Sequence, residues 1–222
     1  MKYVKSYATG EYEEKKSRFI GEVFPIQSVD EAEALIQQVR KKYYDARHHC
    51  YAYVLGDQYE TVKQSDDGEP SQTAGMPILA VLKGQEIHDA LVVVTRYFGG
   101  TLLGTGGLVR SYTNGAKAAL DAAVILTAVE GYAVQAEIPY TLVGKIKYIA
   151  ESAGITEARA DYGAAVSMTW HVPAEQLAGF QNQIQELSGG SIVLAIDKHR
   201  WYNSEDFFVS MYSKYSRNKV SR

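Results

Sequence analysis

The chain has 222 residues, 46% hydrophobic and 22% charged, with 19 glycines and a formal net charge of −3. That length allows one large domain or two small ones, and the apolar fraction excludes wholesale disorder. No run approaches the roughly 18 apolar residues that cross a bilayer, and no apolar stretch follows the charged start Met1–Tyr7, so neither a membrane span nor a signal peptide is expected. A single cysteine, Cys50, cannot form an internal disulfide, which makes a reducing cytoplasm the expected home. The first 130 residues are slightly acidic and the rest are neutral, so any contact with nucleic acid has to come from a local patch.

In chain order, Arg18–Pro25 (RFIGEVFP) predicts a strand. Ser28-Val29-Asp30-Glu31 is a capping box, and the helix it opens carries Ala32, Leu35, Ile36 and Val39 on one face. His49–Leu55 (HCYAYVL) alternates and is β-rich, which predicts a second strand. Lys63–Ser71 (KQSDDGEPS) has no apolar residue and reads as a loop. Ala74–Leu82 reads as a short helix with Pro77 in its first turn. Ala90–Thr95 (ALVVVT) reads as a buried central strand that runs directly into RYFGGTLLGTGG at 96–107. From Gly107 a helix is expected, with Val109, Thr113, Ala116 and Leu120 on one face.

The second half predicts a strand over Tyr132–Ile138, a helix over Leu142–Ala153, strands over Ile155–Ala160 and Ala164–His171, a helix over Gln176–Leu187 and a strand over Ile192–Ile196. That order, βαββαβ, is the ferredoxin-like split βαβ unit. The expected fold class is α+β in two domains, 1–130 and 131–205, followed by a tail over 206–222. After Asp206 the tail holds Lys214, Arg217, Lys219 and Arg222 with no acid, and is expected to fray.

Three segments could carry chemistry. Gly99, Gly100, Gly104, Gly106 and Gly107 follow a buried strand and precede a helix, where backbone N–H groups can face outward and cradle an anion, with Arg96 and Arg110 flanking them. No Lys-Ser/Thr follows the glycines, so this is no Walker A loop, and Gly104-Thr105-Gly106-Gly107 misses the third glycine of the dinucleotide fingerprint. A tight turn with close helix–sheet packing fits the same residues. Asp66, Asp67 and Glu69 offer three carboxylates to a divalent cation or to acid–base work, but one short segment seldom closes a metal site, and a solvated turn is the simpler reading. His48, His49 and Cys50 are adjacent; alternation along a strand keeps the two imidazoles from sharing one ion and keeps Cys50 from meeting a neighbouring base. No cofactor or metal is assigned from these patterns.

These stretches, together with KSRFI at 16–20, ARHHCYA at 46–52, SDDGEP at 65–70, Thr73-Ala74-Gly75 and RYFGG through LGTGGLVR at 96–110, resemble the Impact/YigZ family. Gln72 departs from the pattern, where a small residue, often glycine, is expected. The resemblance implies an N-terminal domain similar to domain 2 of a small-subunit ribosomal protein, and a C-terminal domain like the ferredoxin-like domains of the translocating elongation factor. It also implies a setting in translation: eukaryotic relatives regulate it by competing for the scaffold that activates an initiation-factor kinase. They do so with a further partner-binding domain that is not expected in this chain.

Read together, these features favour a cytoplasmic, translation-associated binding protein that contacts RNA or the ribosome, and they lean away from an enzyme without deciding it. The glycine loop with Arg96 and Arg110 would hold phosphates, and Lys145, Lys147, Lys198 and Arg200 could add backbone contacts. The alternative is a small hydrolase for a phosphorylated or acidic substrate, with His48 as general acid or base and Asp67 and Glu69 orienting it; those segments would then have to converge on one cleft. A protein-interaction module is the third reading, and an exposed apolar patch would support it. No membrane partner is expected and no oligomeric state is assigned.

Overall fold

The computed structural model describes residues 1–203 and the pair 209–210, which fall into two units, Met1–Thr127 and the chain from Ala128 onward. In the first, β1 (Lys2–Val4), β2 (Ala8–Glu14), β3 (Ser17–Pro25), α1 (Val29–Lys42), β4 (His48–Leu55) and β5 (Thr61–Ser65) are followed by α2 (Gly75–Gly84), β6 (Ile87–His88), β7 (Ala90–Tyr97) and α3 (Gly104–Asp121). β7 is apolar on both faces because both faces are covered. It sits at the centre of an antiparallel sheet ordered β2-β3-β7-β4-β5. Phe19, Val23, Cys50, Ala52, Val92 and Val94 form one core with Ile78 and Leu82 of α2 and Leu108, Tyr112 and Ala116 of α3. Tyr51, Tyr53, Leu91 and Val93 form another with Ala32, Ile36 and Val39 of α1.

Local sequence explains several of these elements. Ser28 Oγ accepts from the Glu31 N–H at 3.2 Å, and Glu31 Oε2 accepts from the Gln27 N–H at 2.8 Å, which closes the box that starts α1. Two expectations need correction. Lys63-Gln64-Ser65 is not loop: it belongs to β5, an edge strand paired with Tyr51–Leu55, where backbone bonding suffices and polar side chains face water. α3 starts three residues before the expected Gly107, and its inward face is Leu108, Ser111, Tyr112, Gly115, Ala116 and Ala119 rather than Val109 and Thr113. Ala116 and Leu120 are buried as expected, whereas at the start of the helix the buried positions fall one residue earlier, at Leu108 and Tyr112.

β8 (Ile125–Ile138) begins in the first unit, where its first three residues pair antiparallel with β1, itself parallel to β6. Its remainder opens the second unit, followed by α4 (Tyr140–Ser152), β9 (Thr156–Tyr162), β10 (Val166–Pro173), α5 (Leu177–Ser188), β11 (Ala195–Asn203) and β12 (Val209–Ser210). The four main strands are ordered β11-β8-β10-β9, which is the fourth, first, third and second of a βαββαβ unit and therefore ferredoxin-like. Val134, Ile138, Val166, Met168 and Trp170 pack against Ile146 and Ala150 of α4 and Phe180 and Ile184 of α5. Gly189 ends α5 in the left-handed conformation (φ +57°). The last long strand starts at Ala195, three residues after its expected start. The tail expected over 206–222 lies outside the described residues except for β12. No helix among the described residues is long and apolar enough to cross a membrane.

The second unit carries a pH signature. His171 of β10 and His199 of β11 are buried with ring centroids 4.8 Å apart. Burial, reinforced by the charge of His199, lowers the His171 pKa to about 4, and burial lowers His199 as well. Between pH 6.5 and 4 the unfolded chain therefore binds a proton at His171 that the folded chain refuses. The stabilisation is complete above about pH 6.5 and is lost as the pH falls toward 4, by about 3 kcal/mol at most. Both tryptophans, Trp170 and Trp201, lie in this unit, so urea titrations followed by tryptophan fluorescence at pH 7.5 and 4.5 read it selectively. His171→Phe should remove most of the difference; an unchanged acid slope in the variant would contradict the assignment.

Candidate functional site

The start of β4, the end of β7 and the segment after β5 meet on the α2/α3 side of the first sheet. The SDDGEP segment is not a solvated turn there, because its carboxylates are bonded internally. Asp66 Oδ1 accepts from the N–H groups of Ala74 and Gly75 at 3.0 and 2.8 Å, and Oδ2 accepts from the Gln72 N–H at 2.8 Å. It caps α2 from eight residues upstream of the N-cap Ala74, which explains how that helix starts without a side-chain cap of its own. Gln72 holds a left-handed φ of +62°, a conformation that glycine adopts without strain; this is the physical reason a glycine fits that position. Asp67 is bonded by Arg40 and by the His49 N–H.

Glu69 reaches inward. Its side chain is 4% exposed, and Oε1 accepts from Arg96 Nη1 and from Tyr112 Oη, each at 2.7 Å. Burial, helped by nearby negative charge, pushes the Tyr112 hydroxyl far up, so it remains a donor. Burial likewise raises the Cys50 thiol, whose Sγ–H donates to Asp66 O at 3.0 Å; it is a packed thiol and no nucleophile. The three carboxylates thus face three different sets of partners. They do not converge on a cation, and no group of three or more His, Cys, Asp or Glu side chains among the described residues could hold a metal ion. The notion of Asp67 and Glu69 as acid–base partners or metal ligands, with Asp66, meets this obstacle directly.

His48 and Arg96 do converge. They are in-register partners on β4 and β7, and with Arg47, Tyr97, Phe98 and Leu102 they line a half-open cleft of about 480 Å³. The His48 Nδ1–H donates to Asp67 O at 2.9 Å, which leaves Nε2 as the ring nitrogen available to a ligand. The Arg96 side chain is 8% exposed, packs between the rings of Phe19 and Phe98 at 5.6 Å from each centroid, and keeps a buried Nε with no hydrogen-bond partner. Arg47 is exposed and makes no ion pair among the described residues. One acid, Asp45, also lines the cleft, where its Oδ1 accepts from Tyr97 Oη at 2.7 Å. Sequence reasoning nominated Arg96 and His48 but overlooked Arg47 and Phe98. Their signal was a cation and a ring at the ends of strands that alternate into the core.

The glycines divide by role. A Cβ on Gly99 would fall 2.1 Å from the Lys16 carbonyl carbon, and its N–H donates to Ser17 Oγ at 3.0 Å, so this glycine seats the loop on the β2–β3 turn. That turn brings the exposed Lys15 and Lys16 beside it. Gly107 is buried with its Cβ position 2.9 Å from that of Leu103. Gly100 and Gly104 have φ of +87° and +71° with open space around them, and Gly106 meets only Arg110 Nη1 at 3.8 Å. Arg110 is exposed on the first turns of α3 and makes no ion pair among the described residues.

The second unit supplies less. On the sheet face away from its core, β8 and β10 carry Gln135, Glu137, Ser167 and Thr169, followed by His171, whose ring is buried against His199. Of the four basic residues considered there, Lys147 pairs with Glu157 at 3.0 Å and Arg200 with Glu130 at 2.6 Å; Lys145 and Lys198 are exposed.

Comparison with known proteins bears on both units. Residues 15–120 match the Impact N-terminal domain, and residues 137–191 match a domain of unknown function, DUF1949. The IMPACT family member YigZ of Escherichia coli (strain K12) is 39% identical, over 83% of this chain and 92% of its own length. The IMPACT family member YvyE of Bacillus subtilis (strain 168) is 35% identical, over 79% of this chain and 81% of its own. A crystal structure described as that of a hypothetical protein is 36% identical, with a TM-score of 0.54 over 87% of this chain and 95% of that one.

Proposed function

The chain belongs to the Impact family, and from that premise we propose that it is a cytoplasmic, translation-associated regulatory protein that contacts RNA through the cleft at the ends of β4 and β7. The observation that carries the reading is the pair of guanidinium groups lining that cleft: Arg47, exposed and without an ion pair among the described residues, and Arg96, held in place by Glu69. Two guanidinium groups in one cleft offer the forked, charged donors that phosphate oxygens accept. Lys15 and Lys16 beside Gly99, and Arg110 on α3, extend the positive rim along which a backbone could run. In the second unit Lys147 and Arg200 are spent on Glu157 and Glu130, which favours RNA contact through the first. Hydrolysis is the weaker reading because the Asp67 and Glu69 carboxylates are bonded to Arg40, the His49 N–H, Arg96 and Tyr112, while His48 alone keeps a ring nitrogen without a protein partner.

Arg47→Ala with Arg110→Ala tests this without disturbing a buried group. Binding of purified protein to total RNA and to ribosomes, measured between 50 and 200 mM salt, should weaken in the double variant. The slope of log K against log salt should fall by about 1–1.5, as expected for two lost phosphate contacts to single strands. Equal affinities and slopes for both proteins would remove the cleft from RNA binding.

A further inference from the structure

We propose that the cleft selects single-stranded over duplex RNA by taking up one nucleotide, its base stacked on the ring of Phe98 and its phosphate on the guanidinium groups of Arg47 and Arg96. This deepens the RNA reading above and rests on it. Four observations support the assignment. First, the volume, about 480 Å³, suits a single nucleotide and cannot admit a double helix. Second, Phe98 is 57% exposed and Leu102 84% exposed at the same cleft, apolar surface that would lie idle against the sugar–phosphate exterior of a duplex but finds a partner in an unstacked base.

Third, the ring is held ready. The Arg96 guanidinium lies 5.6 Å from its centroid, and Arg96 is itself fixed by Glu69 and by the ring of Phe19. The next residue, Gly99, is tied to Ser17 Oγ, so the backbone carrying Phe98 has little freedom. Fourth, charge and ring share one site: Arg47, Arg96 and Phe98 line the same cleft, so a base on the ring and a phosphate on a guanidinium are both met there. Asp45 discourages a second phosphate at its own edge of the cleft and leaves the Lys15, Lys16 and Arg110 side for the neighbouring backbone.

The test compares a fluorescein-labelled 12-nucleotide oligoadenylate with a 12-base-pair RNA duplex by anisotropy at 50 and 150 mM salt. The proteins are wild type, Phe98→Ala and Phe98→Tyr. Wild type should favour the single strand. Phe98→Ala should weaken single-strand binding by about 5- to 140-fold, the range for one lost base stack, with the duplex affinity and the salt slope unchanged. Phe98→Tyr should restore binding. Phe98 is exposed, so circular dichroism of the variants should match wild type. If single strand and duplex bind equally and Phe98→Ala changes neither, the RNA reading survives and the single-nucleotide site is wrong. If neither RNA binds wild type at either salt, both readings fall.

Discussion

Glu69→Ala should cost the first unit about 3–5 kcal/mol, although the residue sits in a loop between a strand and a helix. The loss follows from what Glu69 leaves behind. Its Oε1 accepts from Arg96 and Tyr112 at 2.7 Å, and the side chains of the pair are 4% and 8% exposed. Without the carboxylate, a guanidinium whose Nε already lacks an acceptor would be buried with no counter-charge, and a buried phenol would lose its acceptor. Glu69→Gln keeps the shape and the Tyr112 bond and should cost about half as much. Glu69→Leu combined with Arg96→Met removes both charges and should recover most of the stability, because a well-packed apolar pair often matches a buried ion pair. Hydrogen exchange of the β4 and β7 amides in urea reads the first unit without interference from the second. A loss below about 1 kcal/mol for Glu69→Ala would mean that the pair is solvated and contributes as a surface bridge does.

That ion pair also shows where sequence reasoning runs out. α1 was legible because its cap and its apolar stripe lie within twelve residues of one another, and β7 because ALVVV has no other comfortable environment. The ferredoxin-like unit was legible from the order of its elements alone. By contrast, Glu69 is 27 residues from Arg96 and 43 from Tyr112, and no local pattern pairs them. Asp66 caps a helix eight and nine residues away. An acidic run reads as solvated when its partners are distant backbone N–H groups. β2 (ATGEYEE) left no hydropathy signal, since it is an edge strand whose pairing is carried by the backbone. The cleft was half legible: His48 and Arg96 were nominated by residue type, whereas Arg47 and Phe98 gained their meaning only when β4 and β7 paired in register. The glycines were read as a single cradle, yet Gly99 and Gly107 are packed against neighbours and only Gly100, Gly104 and Gly106 remain open.

Gly21→Ala should destabilise the first unit by about 3 kcal/mol or more, at the upper end for an added methyl group. Gly21 and Gly10 are cross-strand partners on β3 and β2. A Cβ on Gly21 would fall 2.1 Å from Gly115 O, and one on Gly10 would fall 2.2 Å from Ala118 O, both backbone atoms of α3. Gly115 in turn lies so close to the sheet that its own Cβ position is 3.0 Å from Val94 Cγ1. A helix seated directly on strand backbone cannot yield by rotating a side chain; it has to move as a body or lose its packing. Movement would carry Tyr112 away from Glu69 and displace the glycine loop that leads into α3, so Gly21→Ala should weaken RNA binding at the proposed cleft without touching it. Gly144→Ala and Gly179→Ala supply the opposite sign. Both lie inside helices of the second unit with nothing within 4 Å of an added Cβ, and each should gain about 0.5–1 kcal/mol by tryptophan-detected unfolding. If Gly21→Ala proved as benign as those two, α3 would not be seated on the glycine pair, and the position of Tyr112 over Glu69 would need another cause.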